Sequence, residues 1–319
     1  MHFLFIIDVL DTLNLSTDTS LLLIEEMARR GYAASVAFLG DLYLSEVEAG
    51  VRAQPIEVDL NRTPFYRLGA PSDHRFSDFD LVLMRKDPPV DAEYLVATFV
   101  LERAAEQVPV VNDPVSLRLL NEKLLPLQFP QFAPPTLVSN QPERLQAFLD
   151  YHGRIVVKPL DDCSGRGIEL IDREARQRIP AYVAATGRRH VVAQQFLAGV
   201  AAGDKRILVL EGEPLGAVNR VPRSAEHLAN IHQGARVEAT SLTARECEIL
   251  AAVRPLLMER HIWLAGIDVI DGYLTEINVT SPSATRQINQ VSNSHLEVAM
   301  VDSLERLAWQ GPLGATSYA

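Results

Sequence analysis

The chain has little cysteine: Cys163 and Cys247 are the only two in 319 residues. That is too few for a disulfide framework, and it suggests a reducing, cytoplasmic compartment. A basic excess is also missing. Lys and Arg number 30 against 41 Asp and Glu, a net charge of −11, which argues against a nucleic-acid surface and leaves the basic side chains for small anions. No apolar run approaches the length of a membrane span, so no membrane partner is expected. Residues 1–8 carry no basic segment, and their apolar run stops at Asp8, which predicts a buried first strand and not a signal peptide. There is no internal repeat and no low-complexity tract. The eight His residues form no H-E-x-x-H and no zinc spacing with cysteine, and no G-x-S-x-G, Walker A or G-x-G-x-x-G pattern occurs. Hydrolase, zinc and dinucleotide readings therefore lack their usual signatures. Cys163, alone in its loop, reads as a packing residue.

What is present is an apolar content of 47%, with length enough for two or three packed subdomains. The first part alternates strand 2–7, helix 18–30 ending at Gly31, strand 33–38, an irregular segment 45–78, strand 81–85, helix 91–106 and a short strand to 112. This alternation predicts a parallel sheet with helices on both faces and ligands at the strands' carboxyl ends, where Asp8 and Arg85 fall. A helix over 114–121 leads to Lys123 and the proline-rich link 130–135, a domain boundary. Residues 136–197 predict a compact α+β unit: a strand, helix 142–151, strand 154–158, a glycine loop, strand 168–171, helix 173–186 and strand 190–196. Strands 205–211 and 214–220, loop 221–238, helix 242–260, a hairpin, helices near 293–309 and a frayed tail 311–319 complete the chain.

The hairpin carries the strongest chemical signal. Within residues 266–278, Asp268, Glu276 and Asn278 are oxygen donors inside otherwise apolar strands, a set that suits Mg²⁺ and hence phosphate chemistry. The period of two puts Leu274, Glu276 and Asn278 on one face. A two-residue type I′ turn at Asp271-Gly272 would pair Asp268 with Thr275 and turn it away from Glu276. A three-residue loop over 270–272, with Gly272 as a left-handed bulge, would pair Asp268 with Leu274 and bring all three together. We take the bulged register, because a shared metal requires it.

Other segments fit anion binding. Lys158 ends a buried strand before Pro159, and 161–167 (Asp-Asp-Cys-Ser-Gly-Arg-Gly) follows directly. An ammonium there can meet phosphate oxygens while the loop's N–H groups cover them. Strand 191–197 runs out into a loop whose backbone could meet an adenine edge, or it is simply a core strand. Lys205 and Arg206 are consecutive, so only one can face a given pocket. Arg220, Arg223, His227, Asn230, His232 and Arg236 sit at or in loop 221–238, a solvated loop or a lid over an anion.

Taken in order, these pieces resemble the bacterial glutathione synthetases of the ATP-grasp superfamily, from about residue 5 to 310. The likeness rests on 40–43 (Gly-Asp-Leu-Tyr), 83–89 (Leu-Met-Arg-Lys-Asp-Pro-Pro), 97–98, 101–104, 111–118, 121–124 (Asn-Glu-Lys-Leu), 158–161 (Lys-Pro-Leu-Asp), 203–206 (Gly-Asp-Lys-Arg), 212–214 and 274–282 (Leu-Thr-Glu-Ile-Asn-Val-Thr-Ser-Pro). It implies an α/β and α+β chain, an ATP-grasp fold with an N-terminal parallel-sheet domain. The implied units are an N-terminal substrate-binding domain over 1–121, a lid over 122–200 and a catalytic subdomain over 201–313. The resemblance also implies site roles. Lys123, Lys158, Gly165, Gly167, Gln195, Phe196, Leu197 and Asp204 would bind ATP. Asp8, Ser20, Arg85, Arg206, Arg220, Asn230, Arg236, Ser281 and Ser283 would bind the peptide substrate, and Arg206, Arg220 and Asn278 would act in catalysis. Asp268, Glu276 and Asn278 would hold Mg²⁺, with Mn²⁺ as an alternative.

The implied activity is ATP-dependent joining of γ-glutamylcysteine to glycine through an acyl phosphate, in a cytoplasmic homo-oligomer built on the N-terminal domain. Two loops depart from the family: 161–167 is poorer in glycine than usual, and 223–236, ordinarily glycine-rich with an Arg before Gly-Asn, keeps Asn230, Gly234 and Arg236 but has Leu228 and Ala229 instead. The departures bear on the acceptor amine and leave open a diverged ligase with another amine. A regulatory module that lost catalysis would not need Lys123, Lys158, Asp268, Glu276 and Asn278 together. A dehydrogenase draws only on the N-terminal alternation.

Overall fold

The computed structural model describes residues 1–161, 167–222 and 235–312. Its first sheet contains β1 (His2–Ile6), β2 (Ala33–Ala37), β3 (Leu42–Leu44), β4 (Ala49–Val58), β5 (Tyr66–Leu68), β6 (Ser72–Arg75), β7 (Leu81–Met84) and β8 (Val110–Val111). Helices α1 (Thr19–Arg29), α2 (Ala92–Ala104) and α3 (Pro114–Leu119) belong to the same unit. Strands β2, β1, β7 and β8 are parallel neighbours, as the alternation predicts. Their side chains are almost wholly buried because both faces are covered. The sheet is not purely parallel, however. The segment read as irregular contains β4, a ten-residue strand antiparallel to β2, with β3, β5 and β6 all pairing antiparallel to β4. Gly50 near its start and Pro55 in its middle hid it, since both residues argue against a strand interior.

The second sheet contains β9 (Thr136–Ser139), β10 (Arg154–Pro159), β11 (Glu169–Asp172) and β12 (Val191–Gln195), in the antiparallel order β11-β10-β12-β9. Helices α4 (Pro142–His152) and α5 (Ile179–Ala185) close a small separate core with Ile155, Val157, Ile171, Val191 and Ala193. Helix α5 is shorter than the predicted 173–186, because Pro180 sits in its first turn and fixes its start. The third sheet contains β13 (Asp204–Leu210), β14 (Glu213–Val221), β15 (Arg236–Ala239), β16 (Leu264–Ile270) and β17 (Tyr273–Asn278), in the order β15-β14-β13-β16-β17. Helix α6 (Ala244–Glu259) begins with a capping box of Thr243 and Glu246. The closing helices are α7 (Thr285–Ser292) and α8 (Leu296–Gln310), separated by left-handed Asn293. Helix α7 starts well before the predicted 293, since in its largely polar sequence the apolar stripe is only Ile288 and Val291, which join the core with Met300 and Leu304. Most of the tail expected to fray, from residue 313 on, lies outside the described residues.

The first and third units share their cores. Phe3, Phe5, Leu21 and Ile24 cluster with Trp263, Leu264, Met300, Val301 and Leu304. Arg30, at the end of α1, donates to Asp302 and Glu305 of α8, each at 2.6 Å. The second sheet keeps a core of its own, so it is the part least bound to the rest. Among the described residues no helix is long and apolar enough to cross a membrane.

A buried side chain also joins the first unit to the third. Asn112 is 4% exposed; its Nδ2 donates to the carbonyls of Leu264 (2.9 Å) and Val279 (2.6 Å), and its Oδ1 accepts the Leu264 N–H (3.0 Å). Both N–H donors and one lone pair of the amide are met by backbone, so a carboxylate of the same shape would face two carbonyls. Asn112→Asp should therefore lower unfolding stability by about 2–4 kcal/mol, as an unpaired buried polar group costs on this scale. Urea denaturation would show it, and an unchanged midpoint would contradict this account of the junction.

Candidate active site

The third sheet has one apolar face, and an opposite face that is apolar at Leu208, Val218 and Leu264 and polar at its other end. Ile207, Val209, Ile267, Val269, Leu274 and Ile277 share a core with Ile249, Val253 and Leu257 of α6. The opposite face is assembled by register. Asp204 pairs with Arg220, Arg206 with Asp268, Asp268 with Glu276, and Gly266 with Asn278. Directly paired residues share a face and alternate residues return to it, so Asp204, Arg206, Arg220, Asp268, Glu276 and Asn278 form one polar row across four strands. Gly266 has a spatial reason: a Cβ there would lie 3.1 Å from both Arg206 Cδ and Nη1.

The hairpin reaches this row by a different route from the predicted one. Its turn is a two-residue one, since Ile270 pairs with Tyr273, and Asp271 (φ 54°) and Gly272 (φ 74°) are both left-handed, as a type I′ turn requires. The expected three-residue loop is absent. The bulge lies deeper, where the register shifts so that Val269 opposes Leu274, Asp268 opposes Glu276, and Thr275 is the extra residue. Leu274 consequently goes to the core instead of joining Glu276. The Thr275 hydroxyl donates to the Asp268 carbonyl at 3.1 Å, and this local bond was not visible in the period-two pattern.

Charges in the row are shared among several partners. Arg206 grips Asp268 in a fork, with Nη2 to Oδ2 at 2.8 Å and Nε to Oδ1, and its Nη1 donates to the Ser283 carbonyl at 3.3 Å. Arg220 Nη2 bridges Asp204 at 2.6 Å and Asp268 at 3.0 Å. Burial alone would raise the Asp268 carboxyl, but Arg206 and Arg220 overcome it and hold it down at about 2. Burial pushes Asp204 the other way, up to about 7, against the pull of Arg220 and with the charge of Asp268 adding to the rise. Asn278 turns its amide nitrogen to Gly266 O (3.1 Å) and Asp268 (3.2 Å), which points its oxygen the opposite way.

The second sheet supplies the facing wall. Lys158 Nζ lies 3.3 Å from Glu276 Oε1, the contact that brings the two sheets together. Gly167 is left-handed (φ 67°), and its carbonyl accepts the Tyr182 hydroxyl at 2.6 Å. At the end of β12 the Gln195 N–H donates to Pro135 O (2.9 Å) and the Phe196 N–H to Arg154 O (3.0 Å). Pro135 has no N–H to return, which leaves the Gln195 carbonyl and, two residues on, the Leu197 N–H facing that edge. An acceptor and a donor at this spacing match the edge of an adenine. Lys123 is buried just after Glu122, beside the end of β17.

The first unit meets the row through residues 281–283. Arg85, buried, donates to Pro282 O (2.9 Å) and Ser20 Oγ (3.3 Å). Partial removal of the Asp87 carboxyl from water raises it, with Asp8 adding to the rise and Ser281 opposing it. Asp8 holds Lys86 at 2.9 Å and the Asp87 N–H at 2.8 Å. Arg236 does not join the group: it pairs with Val221, on the face opposite Arg220, and is exposed with Glu238 at 2.5 Å. Gly165 and Asn230 lie outside the described residues. Sequence reasoning missed Arg286, whose Nη1 is buried with no partner among the described residues, and Glu122, which accepts three hydrogen bonds at the end of β17. Only the family likeness of 121–124 could have flagged Glu122, because neither residue breaks a periodic pattern.

The donor set fits an oxygen-preferring divalent cation. Asp268 is ionised at any neutral pH, Glu276 stands opposite it, and the Asn278 oxygen is turned away from its own hydrogen bonds. Asp268 Oδ1 takes both Arg206 and Arg220 and its Oδ2 takes Arg206 and Asn278, so a cation at Asp268 would displace one of these contacts. Among the described residues no group of three or more His, Cys, Asp and Glu forms a metal cluster, as expected where the third donor is an amide.

Two family models match the chain: "Prokaryotic glutathione synthetase, N-terminal domain" over residues 1–118 and "Prokaryotic glutathione synthetase, ATP-grasp domain" over 122–293. The chain is similar to the glutathione synthetase of Gloeobacter violaceus, 42% identical over 312 residues covering 95% of this chain and 96% of that one. It is 37% identical to the Salmonella typhimurium glutathione synthetase, covering 95% and 98%. Among solved structures, the D-cycloserine synthetase DcsG aligns with a TM-score of 0.67 at 16% identity, covering 96% of this chain and 99% of that one. The ATP-grasp ligase PsnB with its precursor peptide aligns at 0.62 and 16% identity, covering 97% and 98%. At such identity the two structures establish a shared ATP-grasp fold.

The depressed Asp268 carboxyl has a measurable consequence. Its folded pKa lies below the unfolded 3.8, so its stabilisation is complete above pH 4 and fades as pH falls towards 2. Between pH 5 and 3 the protein should lose about 1 kcal/mol more stability than Asp268→Asn, which lacks the titrating group. Urea midpoints at the two pH values test this, and equal losses in both proteins would contradict it.

Proposed function

Because the chain belongs to the prokaryotic glutathione synthetase family, we infer that it is an ATP-dependent carbon–nitrogen ligase joining γ-glutamylcysteine to glycine, with release of ADP and phosphate. The observation that carries this for the site is the polar row of Asp204, Arg206, Arg220, Asp268, Glu276 and Asn278 facing Lys158. Lys123 and Lys158 meet the nucleotide phosphates, the Gln195 carbonyl and Leu197 N–H meet adenine, and Asp268, Glu276 and Asn278 hold Mg²⁺. A bound divalent cation would neutralise charge on the triphosphate as it is transferred.

The chemistry needs two steps. A carboxylate oxygen of the dipeptide attacks the γ-phosphorus as the bond to the ADP oxygen breaks. The amine of glycine then attacks the acyl carbon, loses a proton and expels phosphate. Anionic carboxylate and triphosphate repel each other, so the first step needs cations arranged in advance, a need met by Lys123, Lys158 and the arginines. Arg206 and Arg220 are fixed by Asp268, which costs them no reorganisation when substrate arrives. Phosphate binding would draw Lys158 off Glu276 and leave that carboxylate to the cation. The acyl phosphate must be shielded from water, which suits a second sheet with a separate core closing over the row.

A homo-oligomer built on the first unit belongs to the same proposal, supported by exposed Val96 and Phe99 on α2 and Leu119 at the end of α3. A light-scattering mass of a single chain would remove that part. For the activity, ADP release should require γ-glutamylcysteine and glycine together. Glu276→Gln should lower kcat by roughly 100- to 1,000-fold and change the Mg²⁺ dependence, the scale seen when one preorganised electrostatic group is lost. Turnover with a different amine but none with glycine would replace this assignment.

A further inference from the structure

Two adjacent residues after α3 connect parts of the cleft that come from different sheets. Glu122 Oε1 accepts three hydrogen bonds: from the Val279 N–H at 2.8 Å, the Thr280 N–H at 2.9 Å and the Thr280 hydroxyl at 2.8 Å. The Glu122 carbonyl accepts the Ile277 N–H at 3.0 Å. Asn121 reaches the other way. Its Nδ2 donates to Leu160 O at 3.1 Å, two residues beyond Lys158, while its Oδ1 accepts the N–H groups of Lys123 (3.1 Å) and Leu124 (3.2 Å).

The successive N–H groups of Val279 and Thr280 lie just past the end of β17 and point at one carboxyl oxygen, a small nest. Three donors converging on one atom tolerate little displacement, because hydrogen bonds weaken steeply away from their preferred distance and angle. Glu122 therefore sets the direction in which the chain leaves Asn278 for Ser281 and Ser283. Lys123 is the next residue in sequence, so a slip in the Glu122 contacts carries the lysine with it. A misplacement of about 1 Å in a catalytic group can cost on the order of 100-fold in rate.

We propose that Glu122 is a positioning residue that joins Lys123 and the segment from Asn278 to Ser283 into one rigid piece, presenting a fixed spacing of cation and oxygen donors to a nucleoside triphosphate. Asn121 ties that piece to the strand bearing Lys158. The proposal rests on the reading of Lys123 as a phosphate lysine. Glu122 itself need not touch substrate.

The test measures ADP release against ATP, at saturating dipeptide and glycine, together with the KM for dipeptide and a thermal melt. The variants are Glu122→Asp, Glu122→Gln, Lys123→Met and the double variant Glu122→Asp/Lys123→Met. Glu122→Asp, one methylene short, should lower kcat/KM for ATP at least tenfold and raise KM for dipeptide as well, since Ser281 and Ser283 move with the same piece. Glu122→Gln keeps an acceptor oxygen at the right length and should recover most of that loss. The double variant should lose no more than Lys123→Met alone, because residues acting through one another are non-additive. Wild-type ATP kinetics for Glu122→Asp, or losses that multiply in the double variant, would overturn the proposal. If Lys123→Met leaves ATP kinetics unchanged, the reading of Lys123 fails instead. Should Glu122→Asp not fold, Thr280→Val removes one of the three donors at nearly constant volume: a several-fold loss in kcat/KM for ATP is expected, and wild-type kinetics would overturn the proposal.

Discussion

A carboxylate buried between two guanidiniums governs how this protein's cleft is built. Asp268 accepts a fork from Arg206 and a further contact from Arg220, and its residue is only 4% exposed. Breaking one partner of such a group leaves a charge uncompensated in a poor solvent, which costs several kcal/mol. The three strands β14, β13 and β16 are therefore locked in register on their polar face as well as by their ladders. Glu276, Asn278 and Ser283 take their places from that lock, through the bulge at Thr275 and the Arg206 contact with the Ser283 carbonyl.

The same economy of parts appears between units. The first and third share apolar cores and are pinned by Asn112 and Arg30, whereas the second sheet packs on itself and meets the row through Lys158. A body with a self-contained core and few polar bridges can change its distance to the row without disturbing the folding core. Such an arrangement suits a reaction that must admit ATP and then exclude water from an acyl phosphate.

Much of this was legible in the sequence for physical reasons. Parallel strands buried on both faces read as continuous apolar runs, as in β1 and β7. Oxygen donors inside an apolar hairpin stood out because burial penalises them, and the motifs at 83–89 and 274–282 carried the family likeness. The failures are equally local. Pro55 and Gly50 masked β4, and the polar composition of α7 masked a helix held by tertiary contacts such as Thr19 to Thr285 and Gln287 to Ser16. The hairpin shows the limit most clearly. Asp271-Gly272 made its preferred two-residue turn, and the mismatch between that turn and the face Asp268 must occupy was absorbed at Thr275. Period-two reasoning has no term for a bulge whose position is set by cross-strand partners. Arg236, expected in a loop, begins a strand in regular register opposite Val221, which sets it on the face away from Arg220.

The proposed function requires that this row of charges activate a carboxylate by phosphorylating it. The most direct measurement uses γ-glutamylcysteine with ¹⁸O in the reacting carboxylate, turned over with ATP and glycine, and reads the isotope in released phosphate by mass spectrometry. With both carboxylate oxygens labelled, one ¹⁸O should be transferred per phosphate formed, because the carboxylate oxygen that attacks phosphorus leaves with it. Phosphate free of label, with glutathione formed at a normal rate, would contradict it.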